Sequence, residues 1–133
     1  MKTIAIAYIT VLAVMGVMDA AWLSFATSRL YRPGIGGLMA EKPVALAALV
    51  FYLLYAAGVT YLLTLPGLIA GSAGNAAWRG AVFGLVAYGT YDLTSLAIMR
   101  NWPLNVTIID MLWGAIITAT AAGISVFFTK KFS

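Results

Sequence analysis

At 133 residues the chain suits one domain, yet 63% of it is hydrophobic and only 9% is charged, where soluble domains are roughly a quarter charged. A water-soluble fold of this length cannot hide so much apolar surface, so the composition points to a bilayer. There is no cysteine and no histidine, which excludes disulfides, thiol chemistry and the commonest general base and metal ligand. The net charge of +4 comes from Lys and Arg scattered at segment ends, with no basic stripe for a nucleic acid.

The first apolar run is Thr3 to Ala26. Lys2 ahead of it resembles the start of a cleaved leader. The length of the run, Asp19 within it and the lack of a small-residue cleavage site predict instead that it stays as a membrane helix. SRLYRPGIGGLMAEK, Ser28 to Lys42, reads as the longest polar connection, broken by Pro33, Gly34, Gly36 and Gly37. The second run is Pro43 to Leu65, followed by the small-residue stretch Pro66 to Asn75, expected to be a flexible linker. The third is Ala77 to Met99. Arg100 to Pro103 reads as a tight turn, with Pro103 in the first turn of the fourth run, Leu104 to Phe128.

Each run is close to the ~20 residues a helix needs to cross ~30 Å of hydrocarbon. Backbone polar groups in lipid must pair within the segment, so the runs are helices. The expected fold is an all-α integral membrane protein, residues 1–133 forming a single transmembrane domain of four helices in a compact antiparallel bundle. Ala56-Ala57-Gly58, Gly84 with Gly89, and Ala119 through Gly123 supply the small residues that close helix packing uses. The expected location is a bacterial inner membrane. Lys2, Arg79, Lys130 and Lys131 flank the side with both termini, and Arg29, Arg32, Lys42 and Arg100 the other. The count ties, so the positive-inside rule gives no orientation. The Lys130-Lys131 pair beside a helix end inclines the reading to cytoplasmic termini.

The acids are the anomaly. The chain has four, and Asp19, Asp92 and Asp110 all fall inside apolar runs. Counted from the edge without the termini, each lies about six or seven residues in, roughly 9–11 Å deep at 1.5 Å per residue. Tyr52 belongs to nearly the same layer. Spacings of three and four group Met15, Asp19, Trp22 and Ala26 on one face; Tyr88, Asp92, Ser95 and Met99 on another; and Thr107, Asp110, Gly114 and Ile117 on a third. In a bundle these faces can all point inward. A carboxylate facing lipid costs about 2.5–3.5 kcal/mol on the insertion scale, which favours that arrangement. Three carboxylates so close cannot all be ionised without a shared proton, a bound cation or a counter-charge, for which Arg100 is the nearest in sequence.

The expected solute and proton site is therefore Asp19, Asp92 and Asp110 with Tyr52, Tyr88 and Ser95. Trp22 and Trp113, which share the spacing Asp-x-x-Trp with Asp19 and Asp110, would wall it. Trp78 and Trp102 read as interfacial anchors. The bland alternative is that the acids only tie helices together, at ~0.6–2 kcal/mol per hydrogen bond. Three acids at one depth favour a site over glue. Three functions stay open, in this order: proton- or cation-coupled binding or transport of a small solute, an accessory subunit of a membrane complex, and an enzyme acting on a lipid or isoprenoid. No cofactor is called for, no metal is signalled by spacing, and a homodimer is expected because four short helices enclose little space.

MDAAWLSF and YDLTSLAIMRNWPLNVTIIDMLWG, set in four spans, resemble a bacterial family of predicted membrane proteins, domain of unknown function 2177. The resemblance covers nearly the whole chain. It is most specific from Tyr91 to Gly114, where Asp92, the Asn101-Trp102-Pro103 turn and Asp110 follow in order. It implies a four-helix integral membrane protein and no particular activity.

Overall fold

The computed structural model describes all residues, Met1–Ser133. Four helices make up nearly the whole chain: α1 Lys2–Leu38, α2 Ala45–Ala70, α3 Ala73–Ile98 and α4 Leu104–Phe132, each long and apolar enough to cross a membrane. There is no strand. The expected antiparallel bundle is what forms. The chain ends meet, Thr3 Oγ1 lying 2.6 Å from Ser133 Oγ, and Lys130 Nζ donates to the Gly71 carbonyl at 3.0 Å beside them.

Two boundaries differ from the sequence reading, for one physical reason. Helix α1 does not stop at Ala26, and much of the expected polar connection Ser28–Lys42 is helical as far as Leu38. Helix α2 likewise runs past Leu65 to Ala70, so the expected linker Pro66–Asn75 shrinks to Gly71 and Ser72. A proline in a helix removes a donor and clashes with the carbonyl four residues back. Here each proline follows a widened π turn, Thr27–Tyr31 before Pro33 and Thr60–Thr64 before Pro66. The Arg32 N–H bonds to the Thr27 carbonyl, and the Leu65 N–H to that of Thr60. The wider ring gives the pyrrolidine room, and the helix continues. Gly71, with φ of 70°, then ends α2, and Ser72 Oγ accepts the Asn75 N–H at 3.0 Å to start α3.

The tight turn between α3 and α4 forms as expected. Pro103 stands one residue ahead of α4, not within its first turn, in an extended conformation with ψ of 141°. Trp102 is not an exposed anchor. It is 7% exposed and packs with Ala26, Leu30 and Val106, so the α1 extension lies against the turn. Trp78, at 61% exposed, does face outward.

Helix α4 is the centre of the bundle. Its inner face buries Ile117, Ala121 and Val126 against Val11 and Met15 of α1 and Val59 of α2. Against α3 the approach is closer still. A Cβ on Gly84 would run into the Gly114 carbonyl oxygen. By contrast, every residue from 41 to 51 is exposed, so the first turns of α2 bury no side chain in the core.

Candidate functional site

A cavity of about 350 Å³ opens between all four helices. Helix α1 contributes Asp19, Trp22 and Tyr31; α2 contributes Tyr52 and Tyr55; α3 contributes Tyr88 and Tyr91; and α4 contributes Asp110 and Trp113. Its floor is the apolar core, on which Tyr52, Tyr55, Tyr88 and Trp113 rest. That core closes the cavity toward the termini. Leu23, Phe51 and Tyr91 are exposed and form its rim.

Asp19 is 8% exposed and acts only as an acceptor. The Tyr52 hydroxyl donates to Oδ2 at 2.5 Å, and Trp113 Nε1 donates to Oδ1 at 2.9 Å. Asp110 Oδ1 accepts from the Tyr31 hydroxyl at 2.5 Å. The Tyr31 oxygen in turn accepts from Trp22 Nε1 at 3.1 Å. Trp22 and Trp113 stack, with ring centroids 4.7 Å apart and planes 11° from parallel. The two Asp-x-x-Trp segments are thus cross-linked reciprocally across antiparallel α1 and α4. The Trp of one serves the Asp of the other, directly in one direction and through Tyr31 in the other. Below them the Tyr55 and Thr118 hydroxyls are 2.8 Å apart.

Asp92 is placed differently. It is fully buried, does not line the cavity, and neither of its oxygens receives a hydrogen bond from a tyrosine, tryptophan or other donor group. It faces Asp110 from α3. Ser95 is buried one turn further along α3 and also stays off the cavity wall. Arg100 is exposed in the α3–α4 turn; the donors that reach Asp19 and Asp110 are tyrosine and tryptophan. Of the residues expected at a site, Asp19, Trp22, Tyr52, Tyr88, Asp110 and Trp113 come together around one space.

Sequence reasoning did not find Tyr31, because it ended α1 five residues earlier. A signal was present. The inward face Met15, Asp19, Trp22, Ala26 continues at the same spacing to Leu30, which is buried, so the helical period runs through the supposed loop. Tyr31→Phe should remove the acceptor of Trp22 and the donor of Asp110 together. A loss of roughly 1–3 kcal/mol in stability is expected, with a shift in tryptophan emission. Thermal unfolding in detergent and fluorescence check this; unchanged values in both would mean that the bridge does no work.

Helices of this length and apolarity around a shared cavity of carboxylates and aromatic rings define a four-helix integral membrane protein. The chain belongs to the family described as predicted membrane protein (DUF2177), whose profile matches residues 4–127. No curated protein and no solved structure matches it.

Proposed function

We propose that the cavity is a solute-binding site within the bilayer and that the aspartates couple its occupancy to protons. The observation that carries this is the cavity itself, a space with two carboxylates on its wall at a level where helices otherwise present apolar side chains. Acids that served only to tie helices together would need no such space beside them, whereas here the donors on Asp19 and Asp110 leave a cavity open. Asp19 and Asp110 face the solute. Asp92, buried behind Asp110 with no donor to either oxygen, is the proton carrier, since an unpaired buried charge there is costly. The groups that share its surroundings are Asp110 of α4, Tyr31 of α1 and its own neighbour Tyr91. In this cycle a solute entering beside Asp19 and Asp110 releases a proton held by Asp92, and its departure lets the proton return.

The stacked tryptophans report on the cycle, because each is hydrogen-bonded within it. Their fluorescence should titrate with pH in the wild-type protein. Asp92→Asn, which keeps the volume and cannot ionise, should abolish that titration while leaving the fold intact by circular dichroism. Asp110→Asn should displace it. A titration identical to wild type in both variants would remove the aspartates from any proton cycle.

A further inference from the structure

The walls of the cavity restrict what it can hold. Resting on the reading of the cavity as a solute site, we propose that its occupant is a compact organic cation, a quaternary or aromatic ammonium head group, reached from the bilayer. An anion is excluded by charge, since the lining has two carboxylates and no lysine or arginine. A hard metal cation is excluded by ligand supply. Such ions take about six or more oxygens, and no group of three or more acidic side chains converges anywhere in the chain. The Asp19 oxygens already receive Tyr52 and Trp113.

What the wall offers instead is ring surface. Eight of its twelve lining residues are aromatic. The hydroxyls of Tyr31, Tyr52 and Tyr55 are turned to Asp110, Asp19 and Thr118, so these tyrosines leave ring rather than hydroxyl to a guest. Aromatic faces closing round a cation are the known means of holding an ammonium group that has no N–H to donate. Carboxylates at the same wall supply the balancing charge without needing a direct hydrogen bond to it. The volume lies at the low end of the ~300–1,000 Å³ typical of small-molecule sites, which suits a single head group.

Access follows from the rim. Phe51 lies six residues into α2 from Ala45, and Tyr91 seven residues before the α3 end at Ile98. Both are therefore about 9–11 Å below the ends of their helices. Both are exposed, as is every residue of α2 ahead of Phe51. An opening at that depth faces acyl chains as well as the surface. An amphiphilic cation can enter it sideways with its apolar part still in lipid, whereas a hydrated inorganic ion cannot.

The test uses the full chain in detergent micelles, in a Trp78→Phe background that removes the exposed tryptophan and leaves Trp22 and Trp113 of the cavity wall beside the buried Trp102. Benzyltrimethylammonium is titrated against tryptophan fluorescence, beside neopentylbenzene, its uncharged carbon isostere. The cation should bind saturably and the isostere about tenfold or more weaker. Asp110→Asn should weaken the cation by a similar factor. Phe51→Leu, at the exposed rim, should weaken it several-fold while Phe51→Trp retains it; this pair carries the test if Asp110→Asn does not fold. Equal binding of cation and isostere, or saturable binding of the isostere alone, overturns the organic-cation assignment and leaves a site for neutral solutes. No saturable binding of either compound overturns the assignment and the solute-site reading together.

Discussion

Replacing Gly84 with alanine should destabilise the protein by more than any other single-methyl addition in it. The added Cβ would run into the Gly114 carbonyl oxygen and lie 2.7 Å from Thr118 Oγ1. The first of these is backbone, held within the hydrogen-bonded ladder of α4, and cannot turn aside. The only relief is for α3 and α4 to separate. That would loosen the site directly, because Gly114 also carries the Tyr88 ring against it, with Tyr88 Cγ and Cδ1 filling the space where a Cβ would stand. Overpacking of this kind costs about 1–3 kcal/mol, sometimes more. Gly58→Ala is the matched comparison. It too is a glycine inside a helix, but nothing lies within 4 Å of the point its Cβ would occupy, so helix propensity alone should leave it neutral or about 0.5–1 kcal/mol more stable. Unfolding of both variants in mixed micelles, followed by circular dichroism, reads the difference. Equal effects at the two positions would mean that α3 and α4 do not meet at Gly84.

That contrast marks how far the sequence could be read. Gly58 and Gly84 each sit among small residues in an apolar run, and spacing gives no way to tell the glycine at a contact from the one facing open space. Contact depends on where a second helix lies. The span count, the inward faces and the common layer of Asp19 and Asp110 were legible, because burial in lipid imposes both a length and a period on the sequence. The ends of α1 and α2 were not. Pro33 and Pro66 ordinarily mark a stop, and a π turn that accommodates them leaves no trace in composition. Asp92 shows the same limit within one layer. Its depth and face match those of Asp110, yet it lies behind the cavity wall. Only the relative rotation of α3 and α4, fixed by contacts such as Gly84 on Gly114, separates an acid that meets a solute from one that does not.

The core beneath the cavity bears on what binding could accomplish. Between the cavity and the termini stand Met15, Val59, Ile117 and their neighbours, fully buried. Beyond them a second set of hydroxyls is hidden in the bundle, Thr64 Oγ1 lying 2.6 Å from Ser125 Oγ, with Thr129 buried further on. Transport under the proposed cycle requires that core to part, so that a solute taken up at the rim leaves past these hydroxyls. If the core stays closed, the same site binds and senses a solute without moving it. The α3–α4 contact is the tightest in the bundle, and the first half of α2, with its exposed first turns, is held less closely by the other helices.

Asp19 separates a binding role from a merely structural one, through two substitutions that differ in what they remove. Asp19→Leu takes away both the charge and the acceptors. The Trp113 Nε1–H can only donate, so it is left half-buried without a partner, and the Tyr52 hydroxyl loses its acceptor as well. At about 1–3 kcal/mol for each unsatisfied group, or ~0.6–2 on measurements within membranes, a drop of roughly 1–6 kcal/mol in stability is expected for the two. Asp19→Asn removes the charge alone. Its amide oxygen can still accept from Trp113, and its NH2 can donate to the Tyr52 oxygen once that hydroxyl rotates, so stability should stay within about 1 kcal/mol of wild type. Binding of benzyltrimethylammonium should nevertheless fall about tenfold or more in the Asn variant, since one of the two charges facing the cation is gone. Unfolding and titration of the same two preparations give both numbers. Full binding in Asp19→Asn beside a large stability loss in Asp19→Leu would make Asp19 a tie between α1, α2 and α4 and leave Asp110 as the sole anionic wall.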